Sequence, residues 1–580
     1  MNFSRTFKLQ RDNVISLLLL ALAIGLLTGS LAVAFRYLLL FVTDLFWPDP
    51  QALLEVNNHY PWYLVLAIPV LGGLLVGPLI NRFSPESRGA GVPEVIASVV
   101  NKEGTIRHHT SLFKSLFTAL SIGCGASVGR EGPVVHIGSS VGSSLAQFVR
   151  LPAEWKMVFI GCGAAAGIAA TFNAPMAGML FAAEIILVDF NVGYLSHIAV
   201  SAVTATVVSH HFLGSLPTFQ IPSFQLVSYT ELPLYALLGL CAGLLSILFI
   251  RTISAVEDLF NRSAVPLPLR PAVAGVLIGT LAIFWPHILG VGYETINLAL
   301  SSELALALLL ILLGLKLLAT AGCVGAGFSG GIFAPSLVLG ALLGGAFGLL
   351  SAALLPGPIG PAAAYSLIGM GAVVAGTTLA PITAIFTIFE LTYNFDMILP
   401  LMTCCITSLV TVQKFYGYSI YETKLLRQGT RMARGHDINL LRSLRVGDFM
   451  HTSFDSIHVD LPLGEIVKTA EASSYPHFPV LDDNDRLVGM LSMSDLRKVL
   501  SDLDSLSDLV VASEIMTHRV IILRPEDNFE TAFEIFEGKN ISILPVVSNQ
   551  DQTLLGILKK SDLLLAYNRN VLKSSSSQRR

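Results

Sequence analysis

The chain has 580 residues, of which 53% are hydrophobic and only 13% charged, and its formal charge is −4; its mean hydropathy is +0.68. That composition excludes a soluble protein of ordinary make-up and implies no nucleic-acid partner, because the charged residues crowd into the termini, the loops and the last quarter of the chain. The six cysteines (Cys124, Cys162, Cys241, Cys323, Cys404 and Cys405) lie in apolar segments without metal-ligand spacing, so they read as packing residues, with no metal site and no disulfide expected.

Arg5, Lys8 and Arg11 precede an apolar run from Val14 to Val42, longer than the ~7–15 residues of a cleavable signal core. It is expected to be a retained first membrane helix. The basic flank puts the N-terminal segment 1–13 in the cytoplasm, and Arg427, Arg431, Arg434, Arg442 and Arg445 put the other end there too, which requires an even number of crossings. Further apolar blocks run over 62–80, 111–122, 132–149, 155–187, 192–212, 231–250, 270–286, 303–322, 333–355, 365–390 and 397–412. Several are shorter than the ~20 residues of a full crossing or are broken by Gly and Pro. Half-helices ending inside the protein are expected, where their exposed backbone lines a cavity.

Gly125 to Gly142 reads GASVGREGPVVHIGSSVG. Its glycines leave backbone N–H groups uncovered, and Pro133 suits the first turn of a helix, so a helix N-terminus beyond Glu131 can face an anion. Glu131, between Arg130 and Gly132, stands where that anion would sit, and a carboxylate can fill such a site until it is protonated. An acidic side chain inside a membrane segment points to function rather than packing. His136 reads as a packed core histidine.

The spacing recurs. Gly125, Gly129, Pro133, Gly138 and Gly142 map onto Gly327, Gly331, Pro335, Gly340 and Gly344 at a constant shift of 202, as Lys114 maps onto Lys316. Ala174-Pro175 through Glu184 maps onto Ala380-Pro381 through Glu390 at a shift of 206. The chain therefore holds two related halves, roughly 14–212 and 231–428, the sequence sign of a transporter or channel whose site lies between them. For Glu184 and Glu390 the matched position fits helix-end packing as well as chemistry.

Beyond Thr411 the composition changes. After a linker at 429–444 the chain alternates β-branched runs with amphipathic helical ones, and the pattern is duplicated. Val446–Met450 recurs at Ala512–Met516, Phe478-Pro479-Val480 at Leu544-Pro545-Val546, and Gly489–Asp495 at Gly556–Asp562. The segment 445–570 resembles a tandem pair of cystathionine-β-synthase-type (CBS) domains, 445–502 and 511–568. The polar tail 571–580 is expected to be disordered.

Four stretches of the membrane part resemble one family: Gly89-Ala90-Gly91-Val92-Pro93, Gly129-Arg130-Glu131-Gly132-Pro133, Gly331-Ile332-Phe333-Ala334-Pro335, and Tyr421 within Ser-Ile-Tyr-Glu-Thr. In order and spacing they are similar to the signatures of the CLC chloride channels and chloride/proton exchangers. The resemblance implies an all-α polytopic membrane domain of inverted-repeat architecture with a cytoplasmic α/β CBS pair. It implies a homodimer in the cell membrane, each subunit with its own pathway for chloride and other monovalent anions, with protons as the second substrate. It also implies a transporter rather than an enzyme, with no cofactor required. By resemblance, Ala90, Gly91, Arg130, Gly132, Ile332, Phe333 and Tyr421 surround the anion, Glu131 competes with it, and Asp495 and Asp562 stand where CBS domains can hold the ribose of an adenine nucleotide. Dehydrated chloride suits helix-end amides because they bind it without the full charge that would hold it too tightly.

Two departures matter. The family's serine in the first signature is Ala90 here, which removes one hydroxyl and leaves anion preference open. The exchangers' inner glutamate, immediately after the residue matching Glu184, is Ile185, which cannot carry a proton. Exchange then requires water, Glu184 or another carboxylate to deliver protons to Glu131, and a passive voltage- or pH-gated chloride channel is the alternative. Two remote readings compete. Gly327-Phe328-Ser329-Gly330-Gly331 satisfies the G-x-S-x-G pattern of serine hydrolases, but no histidine follows until His436. A CBS-regulated divalent-cation channel would need acidic groups converging in the pore, and the repeat glycines present amides instead.

Overall fold

The computed structural model describes residues 14–47, 59–101, 104–188, 190–215, 219, 228–355, 359–394, 396–430, 444–473, 475–499, 507–539, 541–548 and 551–563. Arg5, Lys8 and Arg11, the linker arginines Arg431, Arg434 and Arg442, and the tail 571–580 lie outside the described residues. The chain divides into two compact units, Met1–Met432 and Ala433–Arg580.

Among its described residues, the first unit is built of helices. Its first half runs α1 (Val14–Phe46), α2 (Trp62–Phe83), α3 (Val92–Asn101), α4 (His108–Gly123), α5 (Glu131–Phe148), α6 (Ala153–Phe172), α7 (Pro175–Phe181, continuing as a π-turn over Ala182–Leu187) and α8 (Val192–Leu213). The second half repeats the series as α9 (Leu232–Arg262), α10 (Arg270–Phe284), α11 (Tyr293–Leu300), α12 (Leu306–Ala326), α13 (Phe333–Leu354), α14 (Ala362–Thr378), α15 (Pro381–Thr392) and α16 (Ile398–Phe415). A short α17 (Ile420–Arg427) follows. Among the described residues, nine helical segments are long and apolar enough to cross a membrane. At 10, 8 and 8 residues, α3, α11 and α17 are too short to span the ~30 Å hydrocarbon layer. They are half-helices, but all three lie outside the apolar blocks read from the sequence, because a helix that stops inside the protein needs no long apolar run.

Two blocks that read as continuous are each split. The 155–187 block breaks at Asn173 (φ 60°) and the 365–390 block at Leu379 (φ 56°). In both, a left-handed residue ends one helix, and an Ala-Pro step starts the next with Pro at its first turn. Each break frees N-terminal amides, and the opposite half covers them. Glu390 accepts from the N–H groups of Met176 (2.9 Å) and Ala177 (2.7 Å). Glu184 accepts from those of Ile382 (3.3 Å) and Thr383 (2.7 Å).

That exchange is one of several reciprocal contacts. Thr118 and Ser329 share a hydroxyl bond of 2.8 Å, and their counterparts Thr320 and Ser127 share one of 3.0 Å. Buried Lys114 donates to the carbonyls of Ser87 and Gly89, and Lys316 to those of Ile288 and Gly290. At the centre Gly129 and Gly331, each other's counterparts, form an antiparallel bridge with N–H···O distances of 2.7 and 2.6 Å. A residue that pairs with its own counterpart lies on the axis relating the halves. Because the helices following this bridge meet head to head, the halves are inverted relative to each other.

The second unit is α/β. β1 (Ile457–His458), α18 (Leu463–Ala472), β2 (His477–Leu481), β3 (Leu487–Ser492) and α19 (Met493–Val499) form a sheet of order β1-β2-β3, with β1 and β2 parallel and β2 and β3 antiparallel. α20 (Ala512–Ile515), α21 (Phe529–Lys539), β4 (Ile543–Val547) and β5 (Leu554–Lys559) supply a second antiparallel pair. The repeat extends to register. Val480 faces Gly489 and Val546 faces Gly556, with an irregularity directly after each valine. Phe478, Val480 and Leu491 are buried in one core, and Leu544, Val546 and Leu558 in the other.

Candidate functional site

Four helix N-termini surround one buried carboxylate. Glu131 opens α5 and is 1% exposed. Its Oε2 accepts from the Ala334 N–H at the start of α13 at 3.4 Å, and its Oε1 accepts from the Tyr293 hydroxyl at the start of α11 at 3.3 Å. Tyr421, at the start of α17 and 2% exposed, is within electrostatic reach of the same carboxylate. Ala90 and Gly91 lead into α3 against the backbone of Gly132. Each N-terminus brings uncovered N–H groups and about half a positive charge, and their sum favours an anion. Glu131 supplies that anion from within the chain.

The approach of backbones depends on the absence of side chains. A Cβ on Gly132 would lie 1.7 Å from the Ala90 carbonyl oxygen, and one on Gly129 would lie 2.2 Å from Glu131 Oε2. α17 is held by a capping box, in which Ser419 Oγ accepts from the Glu422 N–H (3.1 Å) and Glu422 accepts from the Ser419 N–H (2.7 Å). Phe333 is buried against Phe172 and Phe181, with ring centroids 5.6 and 6.3 Å away.

A cavity of about 820 Å³ reaches the opposite side of these N-termini and is walled there by Gly89, Ala90, Ile332 and Ile420. Its lining includes Arg88, Arg107, Arg270, Lys424 and Arg427 against Glu86, Glu94 and Glu257, an excess of positive charge that concentrates anions. Lys424 pairs with Glu94 at 2.8 Å, and Arg427 pairs with Asp258. His136 is 3% exposed, bonds Ser111 Oγ through Nδ1 at 2.8 Å and forms part of the same wall.

The structure thus brings together Ala90, Gly91, Glu131, Gly132, Ile332, Phe333 and Tyr421. Arg130 does not bond the Glu131 carboxylate but lies over the Tyr293 ring, its guanidinium 4.9 Å from the ring centroid. Glu184 stands apart, with both oxygens on the amides that open α15. Ile185 is 5% exposed in the π-turn. Ser329 is bonded to Thr118, which is no base, so the hydrolase-like pattern has no catalytic partner there. In the second unit, Asp495 accepts from the N–H and hydroxyl of Ser492 at the start of α19, and Asp562 is paired with His451 Nε2 at 2.7 Å.

Tyr293 is the residue that motif reading misses. A signal existed, because shifting the sequence by 201 lays Gly89-Ala90-Gly91-Val92 over Gly290-Val291-Gly292-Tyr293. The glycines share positive φ, with Gly91 at 88° and Gly292 at 91°. Tyr293 is the inverted counterpart of Val92, at the tip of the matching half-helix.

Comparison with known proteins agrees with this geometry. The profile of the voltage gated chloride channel family matches residues 72–413, and the CBS domain profile matches 446–502 and 511–569. A protein of Ralstonia nicotianae named as ClcB-like and as a chloride channel protein is 35% identical over 381 residues, 65% of this chain and 89% of that one. The H(+)/Cl(-) exchange transporter ClcA of Cronobacter sakazakii is 34% identical over 431 residues, 72% and 91% of the two chains. Among solved structures, a slow cyanobacterial Cl−/H+ antiporter superposes with a TM-score of 0.64 at 28% identity, covering 71% of this chain and 97% of that one. A eukaryotic CLC transporter gives the same TM-score at 21% identity over 94% of this chain and 98% of the other, a likeness of fold that extends through the second unit. Amides converging on a buried glutamate, an inverted repeat and a paired α/β unit place this chain in the CLC (voltage gated chloride channel) family with a tandem CBS pair.

Proposed function

We propose that the chain carries chloride across the membrane through the amide-lined site, with Glu131 as its gate, in exchange for protons. The observation that carries this reading is the Glu131 carboxylate itself, held by the Ala334 N–H where a dehydrated anion would bind. A negative side chain can leave such a site by taking up a proton, so proton uptake and anion passage become alternate occupancies of one place. Relatives named as exchangers support the coupling. Ile185 favours the second reading, a passive channel, because the inner end of the proton route has no carboxylate at that position. We assign Glu184 to capping α15 and assign proton delivery from the inner side to water. The test uses liposomes bearing the protein. An imposed chloride gradient is expected to drive protons uphill, and proton movement that never opposes its own gradient, with chloride still flowing, leaves the channel.

The same reading takes the protein as a homodimer with one pathway per subunit and both termini in the cytoplasm, supported by the family resemblance and the basic residues flanking the membrane part. For the CBS pair we propose an adenine nucleotide ligand, with Asp495 and Asp562 on its ribose. Asp562 must then exchange His451 for the sugar hydroxyls. Millimolar ATP, ADP or AMP is expected to raise the melting temperature of the full chain, as any ligand of the native state does, and Asp562→Asn is expected to remove most of that rise. No shift with any of the three assigns the pair a purely structural role.

A further inference from the structure

The gate has a second contact that no signature of the membrane part accounts for. Tyr293 donates its hydroxyl to Glu131 Oε1, and three features fix the ring that carries it. Arg130 covers one side, 4.9 Å from the ring centroid. Phe219 packs edge-on at 5.5 Å and is itself tied by its N–H to the Leu391 carbonyl. The loop before Tyr293 is anchored by Lys316, buried and bonded to the carbonyls of Ile288 and Gly290 at 3.0 and 3.1 Å. The hydroxyl is therefore placed by packing, not by the carboxylate it meets. Other charged or titratable groups facing the pair are Arg36 from α1, Arg130 and Tyr421.

We infer that Tyr293 is a positioning residue for the gate: its fixed hydroxyl holds the Glu131 carboxylate across the anion pathway and sets how readily protons release it. This rests on Glu131 being the gate. A hydrogen bond donated to a carboxylate stabilises the charged, blocking form, while a neutral carboxyl gains less from it. Removing the donor favours release at lower proton concentration. The inverted counterpart contact shows what the tyrosine adds, since Val92 and Phe333 stand in the places of Tyr293 and Glu131 and neither carries a polar side chain.

The experiment measures chloride efflux from liposomes between pH 4.5 and 8 for the unmodified protein, Tyr293→Phe, Glu131→Gln and the double variant. Loss of one charge-assisted bond is expected to shift the blocked-to-open ratio about tenfold, moving the pH of half-maximal flux about one unit to the alkaline side. In the Glu131→Gln background, Tyr293→Phe is expected to leave the pH profile unchanged, a dependence that a packing role would not produce. An unshifted profile in Tyr293→Phe, or an equal effect with and without Glu131, overturns the inference. If Glu131→Gln itself keeps the pH dependence of the unmodified protein, the gate assignment fails instead. Should Tyr293→Phe not fold, Phe219→Leu loosens the same ring: a smaller alkaline shift supports the inference, and none overturns it.

Discussion

Glu131→Gln is expected to stop proton movement while chloride still passes. Glutamine keeps the size and hydrogen-bonding reach of the side chain, so the contacts near Ala334 and Tyr293 persist. It carries no charge to compete with chloride and no dissociable proton. The amide cluster then faces an anion without its internal rival. Proton flux, read by a pH electrode under a chloride gradient, is expected to fall at least about tenfold, to the level of empty liposomes, given that one ionisable group carries the coupling. Chloride flux is expected to lose its pH dependence. Uphill proton pumping that survives the substitution would show that another group carries the proton.

Gly132→Ala is expected to abolish transport by a different route. The new methyl would lie 1.7 Å from the Ala90 carbonyl oxygen, and that strand of backbone has nowhere to go. The adjoining Gly89 bonds through its N–H to Phe328 O and accepts from Gly330 N–H at 3.2 Å, while its carbonyl also receives Lys114. Relief must break contacts or part α3 from α5, at a cost of about 3 kcal/mol or more, the upper end for overpacking. A fall in melting temperature in detergent and a chloride flux reduced at least tenfold are the expected readouts, the estimate resting on amide donors moved from the pathway. Gly314→Ala is the control. A Cβ there meets nothing within 4 Å, so its effect is confined to the helix-propensity gain of about 0.5–1 kcal/mol.

Much of this architecture was legible because the residues that make it are of few kinds and recur at fixed spacing. Gly129, Gly331, Pro133 and Pro335 mark the centre of the inverted repeat, and Gly129 does meet its counterpart Gly331 in space. Glu131 was legible because a carboxylate among apolar helices requires a reason. The breaks at Asn173 and Leu379 were harder to see. A leucine in the left-handed region costs roughly 1–2 kcal/mol, and no local preference announces it; the Ala-Pro step after each break was the visible trace. Tyr293 escaped because its partner lies 162 residues away and its own neighbourhood is an ordinary amphipathic turn. The placement of Glu184 on α15 was foreseen only as a matched position. Its partners are main-chain amides, which sequence does not display.

The reciprocal contacts between the halves carry an evolutionary consequence. A Thr–Ser bond made twice, a glutamate cap traded both ways and a glycine paired with its own image are what two copies of a single chain make at a self-complementary interface. A one-half precursor could bury that surface only against a sibling inserted upside down, which demands loops without a directing excess of Lys and Arg. Fusion of two such copies into one chain lifts that demand. In the chain as it stands, Val92 and Phe333 bring no polar side chain to their contact, while their counterparts Tyr293 and Glu131 share a hydrogen bond.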